Sequence, residues 1–116
     1  MRFAAAIAIA FVALLQLSFL VLEMFLWTKP FGRRVFGLAP EFAVASRTLA
    51  ANQGLYNGFL AAGLLWGLAV RDRPVLVFFL GCVVVAGVFG GLTASRKILL
   101  AQALPGLMAL CLILAA

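Results

Sequence analysis

Four long apolar runs constrain this chain more than any other feature of its sequence. Each run is long enough to cross a bilayer as an α-helix, which takes about 20 residues. Their approximate bounds are residues 3–27, 41–70, 74–95 and 97–116. The sequence therefore predicts an all-α fold, a polytopic transmembrane four-helix bundle that forms a single domain over residues 1–116, with an interfacial loop at residues 28–40.

The overall composition favours lipid over water as the environment of this chain. Hydrophobic residues make up 67% of the sequence and charged residues only 10%, whereas a water-soluble domain of this size needs a polar surface. The net charge is +6, but the basic residues lie between the apolar runs, where they anchor helices and contact anionic headgroups. We therefore expect the lipid bilayer, and not nucleic acid, as their partner.

The distribution of basic residues predicts an orientation in the membrane. The stretch from Lys29 to Thr48, which includes the start of the second run, and the turn from Ser95 to Lys97 together hold six Lys and Arg residues; the remaining three are Arg2, Arg71 and Arg73. The positive-inside rule then places loops one and three in the cytoplasm and both termini outside. Because this bias is small, insertion in both orientations stays an open alternative.

A cluster of polar side chains lies near the loop-one end of the predicted bundle. Glu23 is about 6 Å of helix rise from that end. In the second run four polar residues recur at i, i+1, i+4 and i+5, which confines them to one face about 140° wide. An acid in hydrocarbon is costly as the anion, and amides and a phenol orient ligands by hydrogen bonds. The predicted ligand-binding residues are Glu23, Asn52, Gln53, Tyr56, Asn57 and Gln102.

Two further groups of residues have predicted roles. Basic residues of the first loop are expected to act as a gate or to contact headgroups; they are Arg33, Arg34 and Arg47. Pairs of glycines one helical turn apart permit close helix approach, within the chain or in a homodimer. They are Gly54, Gly58, Gly63, Gly67, Gly87 and Gly91.

Two sequence blocks carry a family resemblance. LEMFLW at Leu22–Trp27 and LAANQGLYNGFLAAGLLWG at Leu49–Gly67 resemble the small bacterial four-helix membrane proteins known only as a domain of unknown function. The resemblance covers essentially the whole chain and implies a multi-pass protein of the bacterial inner (plasma) membrane. It also implies that Glu23 and the four polar residues of the second run recur in the family, and it supplies no substrate. The chain shares its size and a helix-one acid with small multidrug-resistance exporters, but their motif around that acid is absent here.

These features predict a protein that binds or transports a small organic molecule or cation through a polar pocket at the loop-one end, with Glu23 as the charge-bearing group. One alternative is a membrane-embedded enzyme that acts on a lipid-soluble substrate with Glu23 as acid or base, which we favour less. Another is a structural or assembly subunit. We expect no cofactor and no metal, because the chain has no His and its two cysteines, Cys82 and Cys111, lie in separate apolar runs.

Overall fold

The computed structural model describes residues 1–115, and all regular structure in that range is helical. It contains three long uninterrupted helices, two short ones in the first loop, and a last helix with an irregular turn. They are α1 (Phe3–Met24), α2 (Pro30–Phe36), α3 (Pro40–Ala45), α4 (Arg47–Val70), α5 (Arg73–Thr93) and α6 (Arg96–Ala115).

The helix starts follow from local sequence. Pro30 and Pro40 are the first residues of α2 and α3, where the missing N–H of proline costs nothing. Asp72 caps α5 by accepting a hydrogen bond from the Val75 backbone N–H at 3.1 Å. Ser95 caps α6 in the same way, by accepting one from the Lys97 backbone N–H.

Several predicted helix bounds need correction. The first long helix ends at Met24 and not at residue 27, and the predicted loop at 28–40 contains α2. The predicted helix 41–70 is two helices, because the chain leaves helical geometry at Ser46, with φ −99° and ψ 5°. The predicted helices 74–95 and 97–116 run instead over Arg73–Thr93 and Arg96–Ala115, and residue 116 lies outside the described residues.

Three helices of residues 1–115 are long and apolar enough to cross a membrane, namely α1, α5 and α6. The fourth predicted span, α4, has 24 residues, which is sufficient length. Its mean hydropathy is lower than that of the other three helices, because its first half carries the polar residues Asn52, Gln53, Tyr56 and Asn57. The structure thus supports a membrane protein with three clearly apolar spans.

The last helix contains a π-helical turn at Leu99–Ala103. Pro105 follows two residues later; it lacks a backbone N–H, and its ring crowds the carbonyl of the residue four positions earlier, Ala101. The irregular turn therefore lies where the proline disturbs the helical hydrogen bonds. It also lets Ala103 contact α5 closely, since a Cβ added at Gly87 would lie 2.7 Å from the Ala103 backbone nitrogen.

The chain divides into two compact units. The apolar unit consists of residues 1–15 and 60–115, and its core is formed by fully buried aliphatic side chains. These are Ala5, Ile9, Val12, Ala13, Leu64, Leu76, Leu80, Val83, Ala109 and Ile113. The polar unit is Gln16–Phe59, and its buried residues are all small or polar. They are Gln16, Gly32, Ala43, Ala50, Gly54 and Asn57.

All six glycines predicted for helix packing lie against a side chain or backbone of another helix. Gly54 and Gly58 contact the end of α1 within the polar unit. Gly63 and Gly67 contact α5, and Gly87 and Gly91 contact α6, within the apolar unit. The close approaches are therefore made inside one copy of the chain.

Candidate functional site

The candidate site is in the polar unit, where the end of α1 packs against the first half of α4. A Cβ at Gly54 would lie 2.7 Å from Met24 Cγ and 3.1 Å from Glu23 Cβ, and one at Gly58 would lie 2.6 Å from a methyl group of Leu20. The two glycines thus remove the side chains that would hold the helices apart. Glu23 consequently packs directly against α4.

Asn57 is the hydrogen-bond partner of Glu23. Its side-chain Nδ2 donates to Glu23 Oε1 at 2.5 Å, and Asn57 itself is only 5% exposed. Among residues 1–115, no Lys or Arg forms an ion pair with Glu23. A half-buried carboxyl group near the end of an apolar helix is therefore held by one neutral amide and by no cation. Such a group is costly as an anion unless a bound cation or a proton neutralises it.

The other polar residues of α4 do not join this contact. Asn52, Gln53 and Tyr56 are all exposed, and Tyr56 makes only an edge-to-face contact with Phe59, with ring centroids 5.8 Å apart. The packed face of α4 is centred on its glycines, and Asn57 lies only about 60° around the helix from Gly54. Asn52, Gln53 and Tyr56 lie farther than Asn57 from Gly54 around the helix. The structure thus brings Asn57 to Glu23 and leaves the rest of the predicted arc at the surface.

Gln16 is a polar residue of α1 that the sequence-based site did not include. It is fully buried, and neither its amide oxygen nor its amide nitrogen has a hydrogen-bond partner among residues 1–115. It precedes Glu23 by seven residues and so occupies the same face of α1, two turns away. That i, i+7 spacing is the sequence signal that could have added Gln16 to the site.

Gln102, the last predicted ligand-binding residue, belongs to the apolar unit. Its side-chain amide donates to the backbone carbonyl of Val83 at 3.1 Å, and the residue is 8% exposed. This buried amide is therefore engaged in packing α6 against α5. Gln102 lies within the π-helical turn Leu99–Ala103.

The first loop is a built structure that extends the polar unit. The indole N–H of Trp27 donates to the Ser46 hydroxyl at 3.0 Å, and that hydroxyl donates to the Phe42 carbonyl at 2.7 Å. The Trp27 and Phe36 rings contact each other with centroids 4.9 Å apart. Gly32 is buried so closely against the Leu26 carbonyl that any side chain at this position would collide with backbone. These contacts hold α2 against the chain that leaves α1.

Two of the three predicted gate or headgroup residues share one surface depression. It has a volume of about 340 Å³ and is lined by Pro30, Arg33, Arg34, Gly37 and Leu38. Arg33 is half-buried, and its Nε is inaccessible to solvent and has no hydrogen-bond partner within residues 1–115. Arg47 is exposed at the start of α4 and does not line the depression.

Comparison with known proteins identifies a family whose model covers most of the chain. A family model described as "Protein of unknown function (DUF1304)" matches residues 10–114, which is most of the chain. The chain belongs to this family. The matched range includes Gln16, Glu23, Asn57 and the basic depression, so the DUF1304 family model covers every element of the candidate site.

The chain is also similar to a bacterial protein whose role is equally open. The two sequences are 31% identical over 95 residues, which is 78% of this chain and 80% of the other, and the relative is "Uncharacterized protein YpaA" of Lactococcus lactis. No solved structure matches the chain.

Proposed function

We propose that this protein binds a small organic molecule or a cation at Glu23, and moves it across the membrane or holds it there. The observation that carries the proposal is the carboxyl group of Glu23, which receives one hydrogen bond from Asn57 and, among residues 1–115, no ion pair. A carboxylate without a counter-ion in an apolar helix attracts a cation or an amine. Asn57 contributes a directed amide that positions the carboxyl group.

Glu41 supplies a matched control for the test of this proposal. It is an exposed acid on α3, outside the three apolar spans, so its replacement changes the net charge equally. The wild-type protein, Glu23→Gln and Glu41→Gln are reconstituted in proteoliposomes, and proton-driven uptake is measured for tetraphenylphosphonium and a panel of hydrophobic amines and neutral metabolites. Equilibrium binding of the same compounds is measured in detergent.

We expect Glu23→Gln to abolish uptake and to weaken binding of the cations at least tenfold, because the attracting charge is lost. Glu41→Gln should behave like the wild type. The proposal fails if Glu23→Gln transports and binds as the wild type does. Binding that depends on Glu23 without any uptake would restrict the function to a binding protein.

The proposal includes a membrane topology of four spans, α1, α4, α5 and α6, in the bacterial inner membrane with loops one and three in the cytoplasm. The test uses a background in which Cys82 and Cys111 are Ala, with single cysteines at Arg34, Arg71 or Lys97. A membrane-impermeant maleimide added to intact cells should label only the cysteine at residue 71. Labelling of residues 34 and 71 from the same side, without residue 97, would mean that α4 does not cross, whereas labelling of all three would indicate insertion in both orientations.

A second candidate function is that of an assembly subunit, which the exposed polar face of α4 favours. Asn52, Gln53 and Tyr56 would contact lipid unless another protein surface, such as a second copy of the chain, covers them. Sedimentation in detergent across a range of protein concentrations tests this. A dimer that the variant Asn52→Leu with Gln53→Leu dissociates would support assembly, and a monomer at every concentration would exclude the homodimer.

A further inference from the structure

The first loop carries positive charge that the rest of the chain does not neutralise. Arg33 and Arg34 follow each other on α2, and neither forms an ion pair with an acid of residues 1–115. Arg33 keeps its Nε buried without a hydrogen-bond partner, although a guanidinium group is normally satisfied when it is removed from water. The charges of both guanidinium groups are therefore left without an anionic partner among residues 1–115.

These arginines line the shallow, open surface depression described above, which is called the recess from here on. Pro30 and Leu38 line the apolar sides of the depression, and Gly37 closes α2 in the left-handed conformation, with φ 65°. No atom lies within 4 Å of a Cβ placed at Gly37, so this edge of the recess is open. The volume of about 340 Å³ accommodates a phosphate group with its adjoining glycerol.

The recess is also held rigid relative to the end of α1. Gly32 precedes Arg33 directly and packs on the Leu26 carbonyl, and Phe36 packs on Trp27. The loop further exposes the apolar side chains of Phe31 and Phe36 on α2, the helix of the two arginines, and of Phe42 on α3. Exposed aromatic rings beside arginines, directly after an apolar span, are typical of a segment at the level of lipid headgroups.

We propose that this recess binds the phosphate-bearing headgroup of an anionic phospholipid. The two guanidinium groups supply charge-assisted hydrogen bonds to the phosphate oxygens, and the exposed aromatic side chains of the loop lie among the acyl chains. A lipid is favoured over a free phosphate because the helix that carries the arginines also exposes the apolar side chains of Phe31 and Phe36, which a soluble ion cannot use for binding. The site is separate from Glu23 and stands whether or not the proposed function does.

The experiment is a titration of the purified protein in neutral detergent with phosphatidylglycerol, phosphatidylcholine or inorganic phosphate, with bound molecules counted by native mass spectrometry. The variant removes both charges, Arg33→Gln with Arg34→Gln. Its control, Arg96→Gln with Lys97→Gln, removes two exposed charges from the start of α6 and leaves the recess intact. Arg34→Gln alone is a second variant, since Arg34 is exposed and its loss does not disturb packing.

We expect the wild-type protein to bind one phosphatidylglycerol in preference to phosphatidylcholine. The Arg33/Arg34 variant should bind it at least tenfold more weakly, Arg34→Gln about threefold to tenfold more weakly, and the Arg96/Lys97 control within about twofold of wild type. Equal losses in the variant and the control, or equal binding of the two lipids, would overturn the proposal. Saturable binding of inorganic phosphate without lipid would show that the recess takes a soluble phosphate instead.

Discussion

The two units of this molecule bury different kinds of side chain where their helices pack. The apolar unit fills its interior with large aliphatic side chains, among them Leu64, Leu76 and Leu80, and its one buried amide, Gln102, is satisfied by a backbone carbonyl. The polar unit buries only small and polar residues, and its buried Gln16 has no partner within residues 1–115. We therefore expect the apolar unit to supply most of the stability, while the proposed function depends on residues of the polar unit.

The substitution with the largest expected effect, Leu80→Ala, tests whether the apolar unit supplies most of the stability. Leu80 is fully buried in its core, so Leu80→Ala should lower the free energy of unfolding by about 3 kcal/mol through lost contacts and the cavity left behind. The measurement is an unfolding titration in mixed micelles, followed by Trp66 fluorescence in a Trp27→Phe background. The control is Leu65→Ala at a residue that is 46% exposed, which should cost less than about 1 kcal/mol. Similar losses for both variants would mean that the core does not dominate stability.

The substitution with the next largest expected effect, Gly32→Ala, tests the close packing of the polar unit. Gly32→Ala should cost about 2 kcal/mol, because its Cβ would collide with the Leu26 carbonyl and backbone cannot move aside cheaply. We expect α2 to undock, with faster tryptic cleavage at Arg33 and Arg34 and a red-shifted emission of Trp27 in a Trp66→Phe background. Gly81→Ala is the control, since nothing lies within 4 Å of a Cβ at that position. Unchanged cleavage in Gly32→Ala would show that the loop is not held by this contact.

The limits of prediction from sequence follow the same division. Long apolar runs located the three apolar spans, because length and apolar composition are enough to recognise a helix that could cross a bilayer. The end of α1 and the break at Ser46 were not predictable, since they accompany hydrogen bonds between residues far apart in sequence, above all from Trp27 to Ser46. Local helix propensity carries no information about such bonds.

The candidate site shows a similar limit at the level of single residues. The spacing of polar residues predicted that four of them share one face of α4, but it did not determine which of the four contacts Glu23. Packing of Gly54 and Gly58 against α1 decided this in favour of Asn57. The three other residues of the arc are equally polar, yet they face outward because they lie farther from the glycines around the helix.

Two buried amides allow a direct comparison of the units. Asn57→Leu should cost about 2 kcal/mol, because it leaves the half-buried carboxyl group of Glu23 without its donor. Gln102→Leu should cost about 0.5 kcal/mol, because the Val83 carbonyl already accepts a hydrogen bond within α5. Unfolding titrations of both variants, with the double variant Glu23→Gln/Asn57→Leu, measure the coupling. If Asn57→Leu costs as much in the Glu23→Gln background as in the wild type, the hydrogen bond to the carboxyl group is not what stabilises the contact.

The last predicted effect has the opposite sign, a gain in stability, and bears most directly on the proposed function. Gln16→Leu should raise the free energy of unfolding by about 1 kcal/mol in detergent, because it replaces a fully buried amide that has no partner among residues 1–115 with an apolar side chain of similar size. Gln53→Leu, the same replacement at an exposed position, should change it by less than about 0.5 kcal/mol when the protein is monomeric.

If Gln16→Leu raises the free energy of unfolding and also abolishes cation binding, the polar unit retains a destabilising amide because the ligand binds to it. The site would then extend two turns along α1 from Glu23. A loss of stability in Gln16→Leu would instead show that the amide is satisfied in the native protein. In that case the contrast between a stabilising apolar unit and a functional polar unit would have to rest on Glu23 and Asn57 alone.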